Sequence, residues 1–390
     1  MRIHFTIILL IFSALNHFAQ SSSSLHSFNM DFSGYVVNLP VYQVNNKSLV
    51  NTFNLENSQF LNLTRTRLRP TLNIGSKTRI NFEYEIAALY INTGNSIFIS
   101  TPQKSSHQII DLTWTPVNER NLSVTHFIDR LSLRQSFEWG NIEVGRQRIQ
   151  WGSGRIWNPT DLFNPINPAL FYKIEKDGAD IISLKYIFGN FTDIDLVFNA
   201  AENFSESNYG FRFRTNFNEY DISLMGGRFD KRIVAGLDIA GNFFDAGLRG
   251  EGIFSADENL LNNNFIKFIV GADYQFTSKL YGVIEYHFNG EGKKDKSEYE
   301  LLKLVNNKII NLSKNYLYEG LIFQYHPLIT FTLSNNTNLN DGSGYLSILA
   351  NYSLTENIYI NVGTQILYGN DFTEYWYYSK SFYAQGEYYF

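Results

Sequence analysis

Arginine is the residue with chemistry to offer that this sequence spaces most regularly. In LTRTRLRP, Arg65, Arg67 and Arg69 hold alternate positions, and Arg130 with Arg134, Arg146 with Arg148 and Arg212 with Arg214 repeat the even spacing. On a β-strand, even spacing sends side chains to one face. Guanidinium groups gathered that way can neutralise carboxylates such as Glu83, Glu85, Glu138 and Glu143, or they can present a cationic surface to anionic solutes. The spacing leaves both readings open.

Covalent and metal chemistry find little support. The chain has no cysteine, which excludes disulfides, thiolate ligands and a thiol nucleophile. The histidines beyond the N-terminus (His26, His107, His126, His287 and His326) fall in no nucleophile or metal-ligand motif. Gly152-Ser153-Gly154 lacks the nucleophile-elbow pattern. The expectation is therefore no catalytic residue, no metal and no cofactor. A net charge of −5 gives no general attraction to nucleic acid.

What could position the arginines is legible in the hydrophobic pattern. In TRINFEYEIAALY, Ile80, Phe82, Tyr84 and Ile86 alternate with Arg79, Asn81, Glu83 and Glu85. Similar period-two segments follow along the chain, rich in the 33 Phe and 25 Tyr, while mean hydropathy stays negative. Each segment then has one oily and one wet side. Short turns expected at 75–77, 140–141, 189–190, 218–219, 241–242, 277–278, 326–327 and 355–357 alternate with mostly longer polar loops. That alternation predicts an all-β fold: a transmembrane antiparallel up-and-down β-barrel of about 18 strands, with 14–20 compatible, in a bacterial outer membrane. A soluble sandwich would use strands of about 5–6 residues, shorter than the segments read here. Arginine facing lipid near the midplane costs about 2–4 kcal/mol, so the arginine faces are expected to line the lumen.

The ends fit export. Arg2 and His4 precede the apolar run IILLIF and a small residue at Ala19, the pattern of a secretory signal peptide over 1–19. A short segment, 20–28, leads into one barrel expected over 29–390. The terminal SFYAQGEYYF closes on Phe390 and resembles the assembly signal read by the barrel-insertion machinery.

The segment VGRQRIQWGSGRIWNPTDLFNPINP (144–168) begins as a strand and breaks into glycines and three Asn-Pro pairs. Proline fixes φ and disfavours helix in the residue before it, so a stiff chain of turns is expected. Ile142 and Val144 share a face with Arg146 and Arg148, so one face must switch or the strand must bulge. The loop 152–178, through Arg155, Trp157, Asn158, Pro159, Asp161 and Phe163, is expected to fold into the barrel mouth and narrow it; an ordered outer loop is the alternative. GRQRIQWGSGRIWNPTDLFNP resembles the Gly-Arg-Gln…Trp-Gly…Asn-Pro…Asp signature of porin-like outer-membrane proteins related loosely to alginate-export type barrels. The resemblance places the motif on Gly145, Arg146, Gln147, Trp151, Gly152, Asn158, Pro159 and Asp161, and implies a barrel of about 18 strands. The expected partners are outer-membrane lipid, the insertion machinery and small solutes, with a homotrimer common for barrels of this size. The function expected is passive diffusion of small hydrophilic, including anionic, solutes. A membrane-embedded adhesin or an assembly or export factor without an open pore is the alternative.

Overall fold

The computed structural model describes residues 28–93, 104–163, 168–171, 175–305 and 309–390. The expected signal peptide lies outside the described residues. The first strand, β1, runs Phe28–Val44 and pairs antiparallel with both β2 (Ser58–Ile74) and the last strand, β19 (Lys380–Tyr389). This double pairing closes the sheet, so no edge is left to face lipid. The ring continues through β3 (Thr78–Ile91), β5 (Leu122–Phe137), β6 (Gly140–Gln147), β7 (Ala179–Ile187), β8 (Asp193–Asn199), β9 (Asn208–Phe217) and β10 (Tyr220–Phe229). It is completed by β11 (Arg232–Phe243), β12 (Ala246–Asp257), β13 (Asn264–Thr277), β14 (Leu280–Asn289), β15 (Asn315–His326), β16 (Ile329–Asn338), β17 (Gly344–Ser353) and β18 (Ile358–Tyr368). These make a closed antiparallel barrel of 18 strands. A further short strand, β4 (Thr113–Asn118), pairs among the described residues only with the outer half of β5. It adds no station to the ring.

Exposure follows the two-residue period. On β17 and β18, Ile348, Tyr352, Ile360, Val362 and Ile366 are exposed, and the register sets Ala350 opposite Val362 on the same side. Exposed phenylalanines gather near the short turns, at Phe28, Phe188, Phe217, Phe243, Phe244 and Phe276. Tyr42, Phe60, Tyr90, Tyr209, Phe254 and Tyr368 stand toward the opposite ends of their strands. Two aromatic girdles around an apolar band are the signature of a barrel that spans an outer membrane. Phe390 stacks on Phe32 with ring centroids 5.8 Å apart, and its backbone pairs with Gly34. A Cβ on Gly34 would lie 2.6 Å from that ring, so glycine is required at this closure.

Two turns sit elsewhere than their Gly-Asn pairs suggested. The β11–β12 turn is at Phe244-Asp245, with Phe244 at φ 52°, and not at Gly241-Asn242. Gly241 serves packing: a Cβ there would meet the Tyr220 ring at 2.3 Å. The β5–β6 turn is at Glu138-Trp139, because Gly140 already lies in β6, against the Lys185 carbonyl.

Candidate functional site: the lumen and its inner loop

The segment after β6 crosses the barrel interior. Glu251 on β12 accepts the backbone N–H groups of Ser153 (3.0 Å), Gly154 (3.1 Å) and Thr160 (2.7 Å), together with the Thr160 hydroxyl (2.7 Å). Glu285 on β14 accepts those of Arg155 (2.8 Å), Ile156 (3.2 Å) and Trp157 (2.8 Å). A loop buried inside a barrel must satisfy its N–H groups, and two carboxylates do so here. The glycines follow from this. A Cβ on Gly152 (φ 91°) would lie 2.6 Å from both Glu251 oxygens, and one on Gly154 would strike the Trp157 carbonyl at 1.9 Å.

Apolar anchors hold the same loop. Trp157 is 1% exposed and stacks on His287 of β14 at 5.2 Å, with Tyr316 of β15 beyond it. Trp151 and Phe163 pack edge-on at 6.0 Å in a cluster with Ile181, Val197, Phe229 and Ile253 from the wall between β7 and β12. Farther along, the carbonyl of Pro168 accepts from the Tyr345 hydroxyl, and Phe171 stacks on Tyr383 of β19 at 4.6 Å. Asn158 and Pro159 form the turn in which the Asn158 carbonyl accepts from the Asp161 N–H. Asp161, 3% exposed, pairs with Lys176. Asn164, Pro165 and Asn167 lie outside the described residues.

The loop ends against the arginine wall. Arg67, 3% exposed, contacts Glu85 (2.7 Å), Glu83 (2.9 Å), Asp129 (2.9 Å) and Glu175 (2.6 Å). Glu175 belongs to the loop and also pairs with Arg69. Arg65 approaches Glu85 at 3.6 Å, and Tyr35 donates to Glu85 at 3.2 Å. Arg130 lies against Asp129 and donates to the Lys176 carbonyl. A register shift between Glu83 and Tyr84 in the β3–β5 pairing brings Asp129 in among these groups. Three carboxylates, from Glu83, Asp129 and Glu175, converge here, and the Arg67 guanidinium occupies the space between them. Around the barrel, Arg134 pairs with Glu143 at 2.5 Å, Arg212 with Asp195 at 2.5 Å and Arg214 with Asp193 at 2.5 Å. Arg155, half-exposed, is 3.6 Å from Asp273, and Arg148 is exposed.

Arg146 departs from the lumen position expected of it. In register it faces Leu131, an exposed residue of the outer face, yet it is only 3% exposed. It donates to Asp180 (2.7 Å) and to the carbonyls of Ile110 (2.5 Å) and Ile128 (3.1 Å). Asp180 in turn accepts from the Ile109 and Ile110 N–H groups. The neighbour of β5 changes from β6 to the β4 segment at this point, and the ion pair satisfies backbone groups that the break leaves without ladder partners. Arg146 therefore stays with Val144, and the segment 109–112 covers it. Gly145, at φ 119°, lies against the Leu131 carbonyl, and Gln147 donates to the Glu143 and Ile181 carbonyls.

Spacing of like residues found the arginines but missed Asp129, Glu175, Asp180, Glu251 and Glu285. The last two were visible only as acidic residues at wet positions of otherwise ordinary strands, GEGIF and VIEYH.

A second buried carboxylate cluster holds the outer loops. Glu374 accepts from the Tyr316 hydroxyl (2.5 Å), the Asn338 amide (2.9 Å) and the Leu312 N–H (3.0 Å). Burial pushes its carboxyl up to about 7, against the lowering effect of these donors. A raised carboxyl pKa means that the folded state binds more protons than the unfolded one between about pH 4.5 and pH 7. Loop stability is then greatest below that window and falls as pH rises through it. Hydrogen exchange of residues 369–379 is expected to be slower at pH 5 than at pH 8 after correction for intrinsic rates, and Glu374→Gln should remove the difference.

No protein-family model matches the chain, and no curated protein matches it. Among solved structures it is similar to mutants of the Rhodopseudomonas blastica porin, at 10% identity and a TM-score of 0.47, covering 93% of this chain and 100% of the other. It is also similar to a loop-deletion mutant of OmpT, an outer-membrane protein of Vibrio cholerae, at 9% identity and a TM-score of 0.46, covering 93% and 99%. At such identity, function has to be argued from the lumen itself.

Proposed function

We propose that the protein is a porin-like channel for passive diffusion of small hydrophilic solutes, with the 152–178 loop as its constriction. The observation that carries the reading is the clamp on residues 153–160 by Glu251 and Glu285, inside a barrel whose wall bears charged and polar groups. A loop fixed across a wet lumen narrows the path without sealing the membrane, and ionic side chains beside the path bias which ions cross. Arg65, Arg67 and Arg69 lie among carboxylates and act mainly to hold the wall and loop together. Anion preference is assigned to the more exposed cations Arg134, Arg148, Arg155 and Arg214, and the relation of 145–161 to alginate-export type porins belongs to the same proposal. So do recognition by the insertion machinery through Phe390 and assembly into a homo-oligomer.

Liposome swelling tests solute passage: small neutral and anionic solutes should enter, at rates that fall steeply with size. In a salt gradient, replacing Arg148 and Arg155 by Gln should move the reversal potential toward cation preference. An unchanged potential would remove the selectivity role and leave these arginines structural.

A further inference from the structure

The lumen wall has two chemically different halves. On β5 to β9 its inward charges are paired with one another, as in Arg134 with Glu143, Lys185 with Asp195 and Arg214 with Asp193. From β16 round to β19 the inward side chains are mostly hydroxyls, amides and tyrosines, and among the described residues Glu387 is the one charged group there. Its carboxylate accepts from the Asn361 amide (2.7 Å), the Gln385 amide (2.7 Å) and the Tyr389 hydroxyl (2.7 Å), while Asn351 donates to Asn361. No lysine or arginine among the described residues stands within ion-pair distance of Glu387. Arg69, which lies over the Tyr35 ring at 4.9 Å, is engaged with Glu83 and Glu175 instead.

Rings complete the patch. Tyr389 meets Tyr359 edge-on at 5.9 Å and Tyr35 at 5.8 Å. Asn361, Gln385, Glu387, Tyr359 and Tyr389 are each half-buried, so their own bonds order them while part of each stays open to the lumen. The patch also lies beside the constriction. Tyr383, one inward position above Gln385 on β19, stacks on Phe171 of the inner loop, which puts the patch about 7 Å from that contact toward the short turns. A carboxylate held only by neutral donors keeps its charge, so it repels anionic solutes and takes hydroxyl groups in charge-assisted bonds. Planar amides donate and accept, and tyrosine rings offer flat apolar faces. Hydroxyl edges alternating with C–H faces are what that combination matches, and a sugar ring has both.

We infer that this patch on β17 to β19 is a binding subsite for neutral sugars, with Glu387, Asn361 and Gln385 on the hydroxyl groups and Tyr359 and Tyr389 against the C–H faces. The inference deepens the channel reading by naming a substrate class, and it rests on a wet path running past the inner loop. It also divides the labour of the lumen. The arginine-bearing wall biases the passage of ions, and the facing patch holds uncharged solutes by hydrogen bonding. A site built to bond hydroxyl groups discriminates strongly against solutes that lack them, because its polar groups are then left without partners.

The test is equilibrium dialysis of the purified full protein in detergent against labelled glucose, sucrose and maltotriose, with glucuronate as the anionic comparison. At least one neutral sugar is expected to bind saturably, and glucuronate about tenfold more weakly or not at all. Asn361→Leu combined with Gln385→Leu should raise the half-saturating sugar concentration about tenfold or more while heat-modifiable migration, the mark of a folded barrel, is kept. Glu387→Gln preserves the shape of the patch and guards against misfolding; it should weaken the neutral sugar and remove the discrimination against glucuronate. No saturable binding of any of the three sugars overturns the inference, as does an unchanged affinity in the folded double variant or glucuronate bound as tightly as the neutral sugars. Dialysis does not depend on conduction, so the two proposals fail separately. Normal conductance without sugar binding overturns the subsite and leaves the channel, whereas saturable binding by a barrel that never conducts overturns the channel and leaves the subsite.

Discussion

Freeing the inner loop should raise single-channel conductance by a factor of about two or more. Removing residues 156–163, with a short glycine linker in their place, takes out Trp157, Phe163 and half of the backbone N–H groups held by Glu251 and Glu285. A milder variant guards against misfolding. Glu251→Ala with Glu285→Ala leaves the loop sequence intact but deprives seven donors of their acceptors. Those N–H groups then need water, which draws the loop from the wall and should give larger and noisier current steps. Loss of two negative charges from the wall should also shift selectivity toward anions, so size and charge effects must be separated with neutral solutes. Unchanged conductance in both variants would show that this loop does not limit the path.

The second large effect concerns stability. Arg67→Met should destabilise the barrel by about 3–5 kcal/mol, because it leaves buried carboxylates without their common cation. Glu85 and Asp129 are each 2% exposed, so neither can turn to water without moving the wall. The cost should appear in denaturant unfolding of vesicle-inserted protein, and proteolysis should quicken near residue 175, since Arg67 and Arg69 both hold Glu175. Arg67→Lys should recover only part of the loss, because a point charge cannot serve four carboxylates as a planar fork does. Arg79→Ala, which removes an exposed group bonded to Asn73, is the control and should cost little. Equal stability of the Met variant and the control would mean that the network holds nothing.

Sequence patterning reached the architecture because a barrel writes its fold into a two-residue period and a regular alternation of connections. The same pattern carried less information about the site. Even spacing assigned Arg65, Arg67 and Arg69 to one face, but what neutralises them comes from β3, β5 and the loop, far apart in sequence. Arg146 misled because the even-spacing argument assumes an unbroken neighbour, and the β6 strand stops where β4 takes over. Gly140 and Gly241 misled for a similar reason: glycine there answers to a close neighbour, Lys185 or Tyr220, and not to a turn. For the 152–178 loop, the glycines, tryptophan and Asn-Pro pairs gave the expectation of a stiff chain of turns, and in its described part backbone N–H groups between Ser153 and Thr160 are held by wall carboxylates. Only its acceptors, Glu251 and Glu285, were hidden.

The central claim is that a wet path runs past the clamped loop through a closed barrel. Recording current across a planar bilayer after adding the purified wild-type protein tests it most directly. Discrete, uniform steps of conductance, larger in the loop-deleted form, are the predicted result. Bilayers that stay silent at every voltage while the protein is demonstrably inserted and folded would contradict it.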